Sequence, residues 1–133
     1  MELVWREDYS VGVPKLDGQH KRIFKLMNAL VELGEVSASS TEVSDALTKM
    51  TEYSIIHFAD EEKYMASINF PRSREHEQEH REFAEKITEF SLDIMDGDGE
   101  TQKKIIDFLC FWWRDHVLKK DMDYRRFVEG DLS

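Results

Sequence analysis

Apolar residues recur every three or four positions along most of the chain, which is the pattern of amphipathic α-helices. The first such stripe runs from about Asp17 to Gly34. Its apolar positions include Ile23, Met27, Leu30 and Val31. Beyond it, Ser39 is followed by Glu42 at the spacing of a capping box, which predicts that a second helix begins there.

Three further stripes follow, separated by breaks at Asn69-Phe70-Pro71 and at Asp96-Gly97-Asp98-Gly99. The second passes through Val43, Leu47, Met50, Ser54, His57, Glu61 and Met65; the third, beginning near Arg72, through His76, His80, Phe83, Ile87, Phe90 and Ile94; the fourth through Ile105, Leu109, Trp112 and His116. A short tail helix is expected around 123–128. Four amphipathic helices with short connections predict an all-α, up-down-up-down antiparallel four-helix bundle.

The arrangement predicts one domain over residues 1–133. Residues 1–15 lack helical periodicity and are expected to form an extended N-terminal arm, while residues 16–128 form the bundle and the short C-terminal helix.

Charge and cysteine content narrow the functional classes. The formal net charge is -10, which disfavours binding to nucleic acid or to anionic membranes. No apolar run approaches the roughly 18 residues of a membrane span, so membrane insertion is not expected. Cys110 is the one cysteine, which excludes an internal disulfide and favours a reducing, cytoplasmic location.

All five histidines fall on the apolar stripes, and Glu61 follows His57 by one helical turn. In an up-down-up-down bundle, the starts of the first and third helices and the ends of the second and fourth share one end. The histidines His20, His57, His76, His80 and His116 therefore converge there. Burying so many polar groups is costly unless each has a partner, and a metal provides one.

Asp121 is less well placed, because it follows His116 by five residues. A regular helix would not put both on one face. On spacing alone, Asp121 is better interpreted as a surface acid beside Lys119 and Lys120. It faces the other ligands only if a π-bulge or a break occurs near Leu118–Lys120.

Taken together, these residues resemble the hemerythrin family. Its pattern of an isolated His, HxxxE, HxxxH and HxxxxD is matched in order by His20, His57 to Glu61, His76 to His80, and His116 to Asp121. The stretch Asp17-Gly18-Gln19-His20-Lys21 and the N-terminal arm are similar to bacterial members. The match spans nearly the whole chain.

The resemblance implies two iron ions (Fe2+/Fe3+) with an oxo or hydroxo bridge. His76, His80 and His116 would bind one iron, and His20 and His57 the other. Glu61 and Asp121 would bridge both. One iron is then six-coordinate and the other keeps one open position, as a gas-binding metal requires.

The implied function is reversible binding of dioxygen by a carrier, store or delivery protein, with an oxygen-consuming enzyme as a conceivable recipient. The expected wall of the oxygen pocket consists of Ile23, Phe24, Phe58, Trp112, Trp113 and Val117. Trp113 departs from the family, whose members often have Leu at this place. A bulkier ring would narrow the pocket or its access.

Other functions stay open at this point. A di-iron protein can also be an oxygen or redox sensor, or an enzyme of the peroxidase or nitric oxide reductase type. His76-Glu77-Gln78-Glu79-His80 matches the HExxH motif of zinc hydrolases, with Glu77 as general base. That interpretation leaves His20, His57 and His116 without a joint role.

Overall fold

The computed structural model describes residues 3–35, 40–94 and 99–130. Its elements are a short 3-10 helix (Glu7–Tyr9), α1 (Pro14–Glu35), α2 (Ser40–Ser67), α3 (Ser73–Ile94), α4 (Gly99–Asp115), a π-helical segment (His116–Lys120) and α5 (Asp121–Val128). These ranges contain no strand, and none of their helices has an apolar stretch that could span a membrane.

The four long helices pack as an antiparallel bundle. Helix α1 packs against α2 and α4, and α3 packs against the same two helices, so each helix lies beside its neighbours in sequence. The predicted all-α bundle with an N-terminal arm and a short C-terminal helix is therefore confirmed.

Helix α1 begins at Pro14, earlier than the apolar stripe indicated. Proline is favoured in the first turn of a helix because it lacks only an N–H that would be unpaired there. Asp17 instead ties the arm to the helix, since its carboxylate accepts hydrogen bonds from Ser10 and from the backbone N–H of Val11. The Ser39 of the predicted capping box and residues 96–98 of the second predicted break lie outside the described residues.

Two buried apolar clusters flank the histidine-bearing end of the bundle. The larger one fills the bundle and includes Phe58, Phe83 and Trp113. The smaller one contains Val11, Leu16, Met65, Phe70 and Tyr124. The polar residues described next lie between these clusters.

Candidate metal centre

The predicted ligands occupy the end of the bundle where α1 and α3 begin and α2 and α4 end. They are His20 on α1, His57 and Glu61 on α2, His76 and His80 on α3, His116 at the start of the π-helical segment, and Asp121 at the start of α5. None is more than 4% exposed. The structure thus brings together all seven side chains that the resemblance implies as ligands.

The carboxylate of Glu61 lies between two groups of imidazoles. Its Oε1 is 2.8 Å from Nε2 of His76 and 3.0 Å from Nε2 of His80. Its Oε2 is 3.2 Å from Nε2 of His57 and 3.6 Å from Nε2 of His20. We call these groups the three-histidine half, formed by His76, His80 and His116, and the two-histidine half, formed by His20 and His57.

Asp121 divides its oxygens in the same way. Its Oδ1 lies 3.0 Å from Nε2 of His116 and 3.0 Å from Nε2 of His76, whereas its Oδ2 lies 2.8 Å from Nε2 of His20. Both carboxylates therefore present one oxygen to each half, which is the arrangement that a pair of bridged cations requires.

The π-helical segment explains how Asp121 reaches this position. It spans His116–Lys120, where a π-bulge was the condition for an inward Asp121. The wider turn adds a residue between His116 and Asp121, so both face the bundle axis. The interpretation of Asp121 as a surface acid beside Lys119 and Lys120 is wrong, because its side chain is 0% exposed.

The distances between the ligand nitrogens suit a bound metal ion. Nε2 of His116 lies 3.0 Å from Nε2 of His76 and 3.2 Å from Nε2 of His80. Two ligands at right angles, each about 2.1 Å from one metal ion, are separated by about 3.0 Å. Among the described residues, Nε2 of His20, Nε2 of His57 and both oxygens of Asp121 are buried and make no contact with hydrogen-bond geometry, although His20 and Asp121 lie only 2.8 Å apart. Such groups carry a large desolvation cost, which bound cations would remove.

The pKa shifts in the metal-free chain also indicate a site for cations. Burial opposes a positive charge on His20, but Asp121 and Glu61 outweigh it and raise its pKa to about 9. The same balance raises the pKa of His76 to about 9. Burial also opposes the charge of Glu61, but the histidines, beginning with His57, lower its pKa well below the ordinary value. Protons thus hold the cluster together without metal, and metal binding must displace them.

A chain of hydrogen bonds orients His57 from outside the cluster. Nδ1 of His57 lies 2.6 Å from the amide oxygen of Gln19, to which it donates. The Gln19 amide nitrogen donates to Asp60 at 2.7 Å, and Lys15 pairs with Asp60 at 3.5 Å. Because Nδ1 carries the proton, Nε2 of His57 directs its lone pair toward the two-histidine half.

The three-histidine half has carboxylates in the equivalent outer positions. Nδ1 of His80 lies 2.8 Å from Oε2 of Glu62. Nδ1 of His116 lies 3.9 Å from Oε1 of Glu79, which is too long for a hydrogen bond but close enough for attraction. Within the described part of the chain, Nδ1 of His20 has no hydrogen-bond partner at all.

Three of the residues that contact the ligands were not found from sequence. Tyr124 is fully buried and donates from its hydroxyl to Oε2 of Glu61 at 3.1 Å. Its position three residues after Asp121, on the same helical face, was a usable signal. Gln19 and Glu62 are direct neighbours of ligands, and adjacency in a helix does not place two side chains on one face.

Aromatic rings cover the inner side of the cluster. Phe58 stacks on His80 with ring centroids 3.9 Å apart and on Trp113 with centroids 5.4 Å apart. The Trp113 ring lies 5.8 Å from that of His57, and Trp112 stacks on His116 at 4.4 Å. Ile23, Phe24 and Val117 are buried in the same apolar cluster.

Glu77, the general base in the zinc hydrolase interpretation, belongs to neither group of candidate ligands found among the described residues. Its neighbours His76 and His80 instead share Glu61 and His116 with one another. The HExxH spacing therefore coincides with the histidine pair of α3, without assembling the protease site that this motif predicts.

Comparison with known proteins identifies the family. Residues 11–128 match the model of the hemerythrin HHE cation binding domain. A bacteriohemerythrin of Clostridium acetobutylicum is 30% identical over 91% of this chain and 97% of its own length. A bacteriohemerythrin of Stenotrophomonas maltophilia is 27% identical (98% and 84%), and a hemerythrin-like protein of Naegleria gruberi is 32% identical (91% and 89%). The chain therefore belongs to the hemerythrin family, and its cofactor is a di-iron centre.

Proposed function

We propose that this protein binds dioxygen reversibly and acts as an oxygen carrier, store or delivery protein. In this proposal the three-histidine half holds one iron and the two-histidine half holds the other. Glu61 and Asp121 bridge the pair. When bound, the di-iron centre supplies two electrons and an open coordination position to dioxygen.

The unequal division of the imidazoles is the observation that carries the proposal. Glu61 and Asp121 present one oxygen to each half, so the carboxylates treat the two halves alike. The imidazoles are divided unequally, because one half contains three of them and the other contains two. The difference leaves the two-histidine half one ligand short, and a small diatomic ligand fits such a vacancy.

The side chains around the two-histidine half would keep water away from a bound ligand. Phe58 is 5% exposed, and Ile23, Trp113 and Val117 are 0% exposed. An apolar enclosure slows proton leakage and hydrolysis, which would otherwise end a reversible cycle. Trp113 also brings a buried indole N–H without an acceptor among the described residues, and this N–H could donate a hydrogen bond to a polar ligand.

This apolar enclosure suits an oxygen carrier better than an enzyme. An enzyme needs polar groups that position a second substrate, whereas the rings against His57 and His80 are those of Phe58 and Trp113. Delivery to an oxygen-consuming enzyme and a cytoplasmic location belong to the same proposal. The location is supported by Cys110, which is buried and free.

The test is a cycling experiment on the iron-loaded protein. The reduced form is exposed alternately to air and to argon while the visible spectrum and the iron content are recorded. We expect a charge-transfer band that appears with air, disappears under argon, and keeps its amplitude over repeated cycles. A zinc-loaded sample serves as the control and should show no band.

Two results would overturn the proposal. One is irreversible bleaching or oxidation in the first cycle, combined with catalytic consumption of peroxide or nitric oxide, which would identify an enzyme. The other is a preparation with one zinc per chain that cleaves peptides, which would restore the hydrolase interpretation.

A further inference from the structure

The two halves of the metal centre differ in the groups that hydrogen-bond to their ligands from outside. In the three-histidine half, His80 donates to a carboxylate, that of Glu62, at 2.8 Å. In the two-histidine half, His57 donates to a neutral amide, that of Gln19, at 2.6 Å. A carboxylate acceptor makes an imidazole more basic than an amide acceptor does.

Gln19 separates His57 from a carboxylate that is close by. The Asp60 carboxylate accepts from the far end of the same amide at 2.7 Å. The negative charge is thus one hydrogen bond further from the metal in this half, and Lys15 offsets part of it at 3.5 Å. Gln19 therefore acts as a neutral spacer.

Two further contacts also make the ligands of the two-histidine half weaker electron donors than those of the three-histidine half. Tyr124 donates to Oε2 of Glu61, the oxygen that faces the two-histidine half, and so reduces its electron donation. No carboxylate compensates at His20, whose Nδ1 has no hydrogen-bond partner among the described residues. In the other half, Glu79 lies 3.9 Å from Nδ1 of His116.

We propose that Glu62 and Gln19 are positioning residues that make the two irons unequal, with Fe3+ favoured in the three-histidine half and Fe2+ in the two-histidine half. Stronger donors stabilise the more highly charged ion, because its attraction to electron-rich ligands is greater. The iron with the open position is then the first to be reduced, and both irons must be Fe2+ before the centre can supply two electrons to dioxygen. This inference rests on the di-iron centre and deepens the proposed function.

Spectroelectrochemical titration of the iron-loaded full chain under argon tests the inference. Each iron takes up one electron from the electrode as it passes from Fe3+ to Fe2+. The first midpoint potential then belongs to the iron of the two-histidine half and the second to the iron of the three-histidine half. Glu62→Gln removes the carboxylate from His80 and should shift the second midpoint potential to a more positive value. The double variant Gln19→Glu/Asp60→Asn moves a carboxylate onto His57 without changing the net charge, and it should shift the first midpoint potential to a more negative value.

The matched control for Glu62→Gln is Glu82→Gln, which makes the same charge change at an exposed position on α3. Mössbauer spectra of the half-reduced 57Fe protein locate the effect. Glu62→Gln should alter the ferric signal and leave the ferrous signal unchanged, and the double variant should do the reverse. The variants change opposite halves, so either one tests the inference if the other fails to load iron.

The inference is overturned if Glu62→Gln shifts the potential no more than Glu82→Gln does, or if it alters the ferrous signal instead. A positive shift in the double variant would have the same consequence. Because oxygen is absent throughout, these outcomes are independent of the cycling experiment. A protein that failed to bind oxygen reversibly could still show both shifts.

Discussion

Asp121 places Oδ1 3.0 Å from Nε2 of His116, five residues earlier, because a π-helical segment joins the two residues. Inserting one Ala after Lys119, an exposed residue of that segment, should lengthen the spacing from His116 to six residues and turn the Asp121 carboxylate away from the cluster by roughly 100°. We expect the insertion variant to lose the second metal ion, as measured by iron content per chain.

Insertion of one Ala after Glu129, which also lengthens the chain by one residue but lies beyond α5, is the control and should keep both irons. The point variant Asp121→Ala separates ligand loss from misfolding. Two irons per chain in Asp121→Ala would contradict a bridging role for this carboxylate.

Replacing Glu61 with Ala should abolish the two-metal site, because this carboxylate contributes one oxygen to each half. It also leaves buried histidines without their main anionic partner. Breaking such a buried contact costs about 3–5 kcal/mol, so the metal-free variant should also unfold more readily. Iron content and denaturant unfolding are the measurements, with Glu52→Ala on the exposed face of α2 as the control. Retention of two irons would count against the assignment.

Helical periodicity carries most of the information on the ligands that lie four residues apart. His57 with Glu61, and His76 with His80, share a helical face whatever the tertiary structure is. Their burial then follows from the apolar stripes that contain them. Asp121 is different, because a local change of helix type decides its direction and spacing alone pointed to the surface.

The hydrogen bonds that Gln19 and Glu62 make with histidine ligands could not be predicted from helical periodicity, for a different reason. Gln19 and His57 are 38 residues apart, and Glu62 and His80 are 18 apart. Whether such side chains meet depends on the rotation of each helix about its axis, to within a fraction of a turn. The hydrophobic stripe sets that rotation only coarsely, since a stripe is often 100° wide or more.

Trp113 should control the size of the space beside the two-histidine half. Trp113→Leu restores the side chain that family members often have there and opens a cavity next to His57 and Phe58. We expect faster binding of azide to the oxidised protein and faster autoxidation of the reduced one, measured by stopped-flow absorbance. The loss of stability should stay below the roughly 3–5 kcal/mol typical of truncating such a ring to Ala.

Phe111→Leu is the control, because it also replaces an aromatic ring of α4 by Leu and lies at a position that is 69% exposed. It should leave the azide rate nearly unchanged. Trp113→Phe tests the indole N–H separately, since it removes the donor and keeps an aromatic ring. Weaker azide binding is expected for Trp113→Phe. An azide rate in Trp113→Leu no higher than in Phe111→Leu would show that Trp113 does not restrict the pocket.

Tyr124 should contribute to iron affinity through Glu61. Tyr124→Phe removes the hydroxyl that donates to Oε2 at 3.1 Å and keeps the ring in its apolar cluster. Loss of such an outer contact typically costs about 10–100-fold in metal affinity. Competition with a chelator measures the effect. Tyr64→Phe is the control, because the Tyr64 ring packs against Tyr124 at 5.5 Å and Tyr64 belongs to neither group of candidate ligands. Unchanged affinity in Tyr124→Phe would exclude the role.

Removing the metal should reverse the pH dependence of stability. In the metal-free chain the pKa values of His20 and His76 are raised to about 9, so their stabilising contribution is complete below the ordinary value of 6.5. It is lost as the pH rises through 9, because the folded state then gives up protons that the unfolded state has already lost. His57, whose pKa is lowered by burial, acts oppositely, but only below 6.5.

The metal-loaded protein should behave in the opposite way, since its ligands bind as neutral imidazoles and acid competes with the metal. The difference in melting temperature between loaded and metal-free protein should therefore widen from pH 6.5 to pH 9. All five histidines of the chain lie in the site, so no other imidazole confuses the measurement. A metal-free protein whose melting temperature rises over this interval would show that the histidines are not held as cations by Glu61 and Asp121.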